Sequence, residues 1–320
     1  HIERNGVISK YPIGFSSKEK LEDVIQQIVS KVNRIVNESN PIVDLRLMDG
    51  SRVNVVLPPI ALNGPIVTIR KFPDKPFTME RLIEIGSITE EAASYLKILV
   101  EAGYNIFISG GTGSGKTTFL NALSNFIPND ERVITIEDSA ELQLQNIDNL
   151  VRLEARNANV EGKNEVTIRD LVRSSLRMRP DRIVIGEIRD AAVIELLNAM
   201  NTGHDGSLST GHANSCMDML HRMETLYLTG MDVPLQAVRG QIGSAIDIII
   251  QLGRLRDKSR KVLEIDEIIG VKDEEYELQT LFEFIDEGDN EDGSVKGKLI
   301  KTENKIQNTR KLTWAGKVLF

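Results

Sequence analysis

Residues 110–117 read Gly110-Gly111-Thr112-Gly113-Ser114-Gly115-Lys116-Thr117 and fit the phosphate-loop pattern G-x-x-x-x-G-K-[ST]. The apolar residues 104–109 before this stretch predict a buried strand, and residues 118–123 after it predict the start of a helix. A glycine-rich turn between a strand and a helix points several backbone N–H groups inward, where they can bind phosphate oxygens. The sequence therefore predicts a nucleotide site on an α/β fold.

The loop residues have separate roles in the predicted site. Lys116 is expected to reach the β- and γ-phosphates of ATP, and the Thr117 hydroxyl is expected to ligate Mg²⁺. The alternative, a Gly/Ser-rich surface turn, gives no reason for the Lys-Thr-Thr run that follows the glycines. ATP and Mg²⁺ are therefore the predicted cofactors, and the predicted phosphate cradle consists of Gly111, Thr112, Gly113, Ser114, Gly115, Lys116, Thr117 and Thr118.

Phosphoryl transfer to water also needs carboxylates that position Mg²⁺ and the attacking water. Residues 182–187 form an apolar run that ends in Glu187, as in a Walker B strand. Ligands bind at the carboxyl edge of open α/β sheets, so Glu187 is predicted to face the phosphates and to hold Mg²⁺, partly through water. The alternative role, a helix N-cap, is better suited to Asp190.

A second apolar run, residues 133–136, ends in Glu137 and Asp138 and is followed by Glu141. Taken alone, these acids fit a turn as well as they fit a site. Because a phosphate loop is present elsewhere in the chain, acids at the end of a further strand favour the site, and Glu137 is the candidate.

Two histidines, His204 and His212, follow glycines within residues 201–214. They are eight residues apart, which is not a familiar metal-ligand spacing. A single histidine usually has a local packing role, but two Gly-His pairs around a short strand favour a sensor of the γ-phosphate. An imidazole can donate a hydrogen bond to phosphate and move when the phosphate leaves.

Composition bounds these predictions. No apolar run approaches the roughly 18 residues that a membrane span needs. The net charge of −8 argues against a dedicated nucleic-acid binder, which needs a basic surface. The single cysteine, Cys216, excludes an internal disulfide and a multi-cysteine zinc site, and we expect it to be a small packed hydrophobe.

The chain is long enough for about two domains. Residues 16–39 predict a helix capped by Ser16 or Ser17, and two alternating runs around Asp49-Gly50 predict a hairpin, with a third strand at residues 66–70. We therefore predict an α+β domain at residues 1–72, a proline-broken linker at 73–80 and an α/β domain at 81–320. A C-terminal extension, about 270–320, is predicted to hold a strand or two around residues 276–285 and a solvated acidic loop near 286–293. The chain begins with His1 rather than Met, which suggests a missing N-terminal segment.

Four motifs, in this order, resemble those of the secretion ATPase superfamily, which drives type II secretion, type IV pili and type IV secretion. They are Walker A at residues 110–118, the Asp box at 136–141, Walker B at 179–189 and the His box at 209–214. Residues 44–52, residues 67–72 and Ala155-Arg156 look most like the tight-adherence (Tad, Flp-type) pilus assembly ATPases. Type II members often carry a four-cysteine zinc module near the C-terminus. Its absence here favours the Tad or type IV secretion side.

The resemblance implies a RecA-like motor domain, mainly a parallel sheet, preceded by a mobile N-terminal domain. It also implies a homo-hexameric ring on the cytoplasmic face of the inner membrane, acting on a membrane platform protein of a pilus or secretion machine. The acidic charge, separately, predicts no nucleic-acid partner. By the same resemblance Glu187 polarises water, Glu137 is a second acid, and His212, with His204, reports on the γ-phosphate.

Arginine fingers complete many ring ATPase sites from another domain or subunit. The candidates here are Arg70, at a predicted strand end before the linker, and Arg152 and Arg156. An ordinary surface ion pair is the alternative for each of them.

Other functions would keep the phosphate loop. A nucleic-acid translocase or packaging motor would be stimulated by DNA or RNA, but the acidic charge and the lack of a basic, aromatic-rich stretch count against it. A nucleotide-gated scaffold would bind ATP and barely hydrolyse it. A small-molecule kinase would need an acceptor site, for which the sequence offers no signature.

Overall fold

The computed structural model describes residues 1–4, 7–32, 34–71, 76–156 and 164–319. The chain divides into two compact units, His1–Lys75 and Pro76–Phe320. This division falls within the predicted linker, of which residues 73–75 lie outside the described residues. Residues 79–80 of that predicted linker instead open a helix, because Thr78 accepts a hydrogen bond from the Arg81 N–H and caps it.

The first unit is an α+β arrangement, as predicted. Its core joins Ile25 and Val29 of the helix to Val53 and Val55 of the central strand. The predicted hairpin is confirmed, since Gly50 has a φ of 86° at the turn and Asp49 Oδ1 accepts the Ser51 N–H at 2.9 Å. The antiparallel order is β3-β4-β5, with β1 and β2 forming a separate pair. The elements are β1 (Ile2–Arg4), β2 (Val7–Ser9), α1 (Lys18–Ser30), β3 (Ile42–Arg46), β4 (Arg52–Val56) and β5 (Ile66–Arg70).

Helix α1 is shorter than the predicted 16–39. Ser17 caps its start, as one of the two candidates, but the helix ends at Ser30. Asn37 and Asn40 exchange backbone hydrogen bonds, and the Asn37 side chain accepts the Asn40 N–H at 2.9 Å. Asparagine side chains compete in this way with helical hydrogen bonding, and residues 37–40 form a turn instead of the last turn of the predicted helix.

The second unit is built on a nine-stranded sheet in the order β14-β13-β12-β11-β6-β10-β9-β7-β8. The neighbouring strands from β11 to β8 pair in parallel, and β12, β13 and β14 add an antiparallel ribbon beside β11. The strands are β6 (Ile106–Gly110), β7 (Arg132–Glu137), β8 (Asn149–Glu154), β9 (Arg182–Ile185), β10 (Leu208–Gly211), β11 (Ile248–Arg254), β12 (Arg260–Lys272), β13 (Glu275–Asp289) and β14 (Val295–Lys301). The helices are α2 (Met79–Glu84), α3 (Glu90–Glu101), α4 (Lys116–Ser124), α5 (Ile168–Ser175), α6 (Ala192–Asn201), α7 (Cys216–Gly230), α8 (Leu235–Ala245) and α9 (Arg310–Ala315).

The apolar strands are buried on both faces. Ile106 and Ile108 of β6 pack in one cluster with α3 and α4, whereas Phe107 packs in another with α5 to α8. Side chains alternate between the faces of a strand, so a continuous apolar run is what a strand covered on both faces requires. The predicted α/β fold class, with a mainly parallel sheet, is confirmed.

The C-terminal extension differs from the expected acidic loop. Residues 286–289 lie in β13, where Arg256 donates hydrogen bonds to Asp289 Oδ1 at 2.6 Å and to Asp286. These two acids are therefore paired with an arginine of the turn between β11 and β12. The turn after β13 is confined to the residues around Asp292-Gly293, where the sequence predicts it. In the ranges that the structure describes, no helix combines the length and apolar character needed to cross a membrane.

Candidate nucleotide-binding site

The loop between β6 and α4 has the geometry that its glycines predict. Gly113 and Gly115 have φ values of 76° and 95°, which favour glycine, and Gly115 is the N-cap of α4. At Gly110 a Cβ atom would lie 2.6 Å from the Leu252 carbonyl oxygen of β11 and 2.6 Å from Ser114 Oγ. The neighbouring strand therefore leaves no space for a side chain where the loop begins.

Lys116 extends into the loop that precedes it and is only 7% exposed. Its Nζ donates hydrogen bonds to the carbonyl oxygens of Gly110, at 2.9 Å, and Gly111, at 3.1 Å. Burial lowers the pKa of Lys116, the positive charge of Arg189 adds to this, and Glu187 opposes it. The ammonium group thus lies inside the loop that is predicted to bind phosphate.

His212 joins Lys116 to Glu187. Its Nδ1 lies 3.1 Å from Lys116 Nζ, and its Nε2 lies 2.8 Å from Glu187 Oε1. Burial lowers the pKa of His212, the charges of Lys116 and Arg189 add to this, and Glu187 opposes it. A neutral imidazole that accepts from Lys116 at Nδ1 carries its proton on Nε2, facing Glu187.

Glu187 follows β9, two strands from β6 in the sheet. Arg189 Nη2 donates to Glu187 Oε2 at 2.7 Å, and Arg189 Nη1 lies 3.7 Å from Asp138 Oδ2. Burial acts to raise the pKa of Glu187, but Arg189, His212 and Lys116 outweigh it and the pKa is lowered. Glu187 is therefore an ionised carboxylate at neutral pH.

Two buried oxygens at this site lack a hydrogen-bond donor from any residue that the structure describes. They are Ser114 Oγ in the loop and Glu187 Oε1, whose short approach to His212 does not have hydrogen-bond geometry. Thr117 is half-buried on the first turn of α4, and Thr118 beside it is exposed. A hydroxyl, a carboxylate oxygen without a donor and a glycine-rich N-terminal turn are the groups that a Mg²⁺-nucleotide needs. The residues present thus fit both predicted cofactors.

Glu137 occupies a different position from Glu187. It ends β7, the third strand from β6, and is 3% exposed. Its Oε2 accepts the N–H groups of Glu141 at 2.7 Å and Leu142 at 3.0 Å. Burial raises the pKa of Glu137, and those N–H groups and Arg152 oppose the shift. The contacts of Glu137 hold the chain that leaves β7, and its role in catalysis stays a prediction.

The structure does not bring Arg152 or Arg156 to the loop of the same chain. Arg152 lies on the edge strand β8, which is four strands from β6 in the sheet, or about 19 Å at ordinary strand spacing. Its guanidinium donates to the Leu142 carbonyl oxygen at 3.0 Å. Arg156 follows β8 and donates to the Asn164 carbonyl oxygen at 2.7 Å. Arg70 ends β5 in the first unit. Their roles as fingers stay predictions.

His204 lies at the wrong end of β10 for the role suggested for it. His212 directly follows the carboxyl end of this strand, whereas His204 precedes its amino end and its Nδ1 lies 3.3 Å from the Ala199 carbonyl oxygen. Since β10 runs parallel to β6, its amino end is at the sheet edge opposite to the phosphate loop. The structure therefore argues against phosphate sensing by His204.

Arg260 was missed by the sequence argument. It begins β12, and its Nε donates to the Gly113 carbonyl oxygen of the loop at 2.8 Å. A Cβ on Gly115 would lie 3.3 Å from Arg260 Cδ, so the side chain lies directly against the loop. No motif contains this arginine, and only the sheet order, which places the β11–β12 hairpin beside β6, could have found it.

We expect Arg260→Ala to weaken Mg²⁺-ATP binding by about two- to fivefold, as the loss of an exposed charge worth up to about 1 kcal/mol would do. Calorimetric titration measures the dissociation constant. Arg256→Ala is the matched control, because Arg256 is held by Asp286 and Asp289. Equal effects of the two changes would contradict a role for Arg260 in nucleotide binding.

Comparison with known proteins gives consistent similarities. Residues 1–297 match the model of the family described as "Type II/IV secretion system protein". The chain is 34% identical over 284 residues to the conjugal transfer protein TrbB of Rhizobium radiobacter. This alignment covers 87% of the present chain and 83% of TrbB. It is 33% identical over 286 residues to the type IV secretion system protein VirB11 of Bartonella henselae. That alignment covers 78% of the present chain and 80% of VirB11.

A solved structure has a similar fold. The crystal structure of the pilus retraction motor PilT with bound ADP superimposes with a TM-score of 0.55 at 20% identity, over 93% of this chain and 74% of PilT. This similarity supports the fold alone. It agrees with the RecA-like, P-loop arrangement of strands and helices described above.

Proposed function

The chain belongs to the type II/IV secretion system protein family, and we propose that it is an ATP-hydrolysing motor of a secretion or pilus machine. The observation that carries this proposal is the continuous contact from Lys116 in the phosphate loop through His212 to the ionised Glu187. A scaffold that only binds Mg²⁺-nucleotide needs the loop and an acid for the cation, but it has no need of a histidine held between the phosphate-binding lysine and that acid.

Each residue has a defined part in the proposed reaction. The backbone N–H groups of residues 111–118 cradle the phosphates, and Lys116 donates to the β- and γ-phosphate oxygens. Thr117 and Glu187 would hold Mg²⁺, partly through water, and the bound cation would neutralise phosphate charge. Glu187 Oε1 orients the attacking water, and His212 Nε2 holds a proton beside that carboxylate. Arg189 keeps the carboxylate ionised and in place.

We further propose that the working form is a homo-hexameric ring on the cytoplasmic face of the inner membrane. Arg152 and Arg156 are exposed and about four strands from the loop of their own chain, which favours action on the nucleotide of a neighbouring subunit. Arg70 would act from the first unit as it closes on ATP. The partner would be a membrane platform protein, and residues 44–52 and 67–72 favour a Tad-type pilus machine.

Native mass measurement with and without a non-hydrolysable ATP analogue tests the ring. We expect a hexamer that is stabilised by the analogue, because arginines contributed in trans bind only when subunits surround the nucleotide. A protein that is monomeric under all conditions would contradict the ring proposal.

Steady-state phosphate release, measured alone, with the platform protein and with DNA or RNA, tests the function. Turnover that the platform protein increases and nucleic acid does not change is the expected result. Stimulation by nucleic acid alone would favour a translocase. ATP binding without turnover under every condition would favour a nucleotide-gated scaffold.

A further inference from the structure

Three side chains that the proposed reaction does not use meet where α7 begins. They are Cys216, the first residue of α7, and Glu264 and Asp266 of β12. Each offers one ligand atom, and these atoms all lie within 4.8 Å of one another. Cys216 is 1% exposed and Asp266 is 2% exposed, so the group lies in the interior of the unit.

Strand pairing explains why these side chains converge. Asp266 lies opposite Ile249, and Glu264 lies opposite Gln251, in the β11–β12 ladder. Alternate residues of a strand share a face, so both carboxylates are on the side that carries Ile249. Ile249 packs in the cluster with α7, and Cys216 Sγ lies 3.9 Å from the Ile249 carbonyl oxygen.

The two carboxylates lack a basic partner. Within the described ranges, neither Glu264 nor Asp266 forms an ion pair with a lysine, arginine or histidine, and the buried Asp266 Oδ1 has no hydrogen-bond donor. The Thr280 hydroxyl approaches Glu264 Oε1 only at 3.5 Å. Burying a carboxylate without compensation is strongly unfavourable, so the group needs either a cation or a proton.

The three acidic groups lie close enough together to repel one another when they are ionised. A divalent cation between them would remove that repulsion.

We propose that Cys216, Glu264 and Asp266 bind one divalent transition-metal cation of the zinc type. A sulfur ligand with two carboxylate oxygens suits borderline zinc better than magnesium or calcium, which take oxygen ligands. Ligand atoms around tetrahedral zinc are about 3.3–3.5 Å apart, so the three atoms need to close by no more than about 1.5 Å. This site is separate from the Mg²⁺ site at Thr117 and Glu187, and it is not the four-cysteine module of type II relatives.

Gln251 is a candidate for the fourth ligand, because it pairs with Glu264 across the ladder. It is 4% exposed and has a buried Oε1 without a hydrogen-bond donor in the part of the chain that is described. Its amide oxygen would complete four-coordination. The cation would fix the start of α7 to β12, four residues after His212, and so limit the movement of the segment that carries this histidine.

Cobalt titration of the intact, chelator-treated protein tests the site. Cys216 is the only cysteine in the chain, so a thiolate-to-Co²⁺ charge-transfer band reports on this position alone. We expect the band to saturate at one equivalent and to disappear when Zn²⁺ is added. At about 100-fold excess of Zn²⁺ over its dissociation constant, we also expect the melting temperature to rise by about 5–10 °C. The absence of a thiolate band would overturn the proposal and leave a proton shared among the three groups.

Asp266→Asn provides the second test, because it removes one charged ligand and keeps nearly the same shape. We expect the variant to bind Co²⁺ at least about tenfold more weakly. Asp286→Asn is the matched control, since Asp286 is exposed and paired with Arg256. Unchanged cobalt affinity in Asp266→Asn would contradict the site. If that variant does not fold, the Co²⁺ titration of the unchanged chain still tests whether the metal site exists. Neither readout depends on ATP hydrolysis.

Discussion

Glu187→Gln is expected to lower the rate of ATP hydrolysis by about 100-fold or more and to leave Mg²⁺-ATP binding within about threefold. The amide keeps the shape of the side chain but loses the negative charge that Arg189, His212 and Lys116 stabilise. An amide orients and polarises water poorly, whereas the phosphate loop that provides most of the binding is unchanged. Phosphate release measures the rate, and calorimetry measures the affinity.

Asp190→Asn is the matched control for this change. Asp190 Oδ1 accepts the Ala192 N–H at 2.8 Å at the start of α6, and an asparagine oxygen can make the same bond. The control should therefore hydrolyse ATP at nearly the original rate. A Glu187→Gln protein with full turnover would remove Glu187 from the catalytic assignment and, with it, the main support for a motor.

Lys116→Ala is expected to weaken Mg²⁺-ATP binding by about 100-fold or more. Hydrogen bonds to charged groups contribute about 1.5–3 kcal/mol each, and Lys116 is predicted to donate to both the β- and γ-phosphates. Its Nζ is already held inside the loop by the Gly110 and Gly111 carbonyl oxygens, so little reorganisation is needed before it binds phosphate. Calorimetric titration measures the loss.

Removing Lys116 also leaves those two carbonyl oxygens without their donor, so the melting temperature must be measured alongside the affinity. Lys97→Ala is the control, because Lys97 is an exposed lysine of α3 that lies 3.9 Å from Glu101. Tight ATP binding by a folded Lys116→Ala protein would mean that residues 110–117 are not the phosphate site.

The fold could be predicted where local pattern determines structure. Apolar runs covered on both faces gave the parallel strands, and the Asp49-Gly50 turn gave the hairpin of the first unit. The secondary structure was predicted wrongly where a non-local or competing contact determines the local conformation. Apolar spacing predicts helix as far as residue 39, but Asn37 and Asn40 form a turn there. Composition assigns Asp286 and Asp289 to a loop, but both lie in β13 and are paired with Arg256 of the turn between β11 and β12.

The candidate site also divides into residues that local patterns predict and residues that they do not. Motifs that combine a loop or strand with the residue at its end predict the positions of Lys116, Thr117 and Glu187. His204 and His212 have similar sequence contexts, and only the direction of β10 separates their positions. Arg260 reaches the loop from 147 residues away through the order of strands, which no local pattern contains.

The β11–β12 hairpin contacts the phosphate loop at two places, Gly110 and Gly113. The Leu252 carbonyl oxygen of β11 fills the space that a side chain at Gly110 would need, and Arg260 of β12 holds the Gly113 carbonyl oxygen. We expect a pull on this hairpin to shift both carbonyl groups together and so to change the shape of the cradle. A mechanical load on the β11–β12 hairpin would therefore change the affinity of the loop for ATP. Force on the hairpin and nucleotide binding would in this way be coupled.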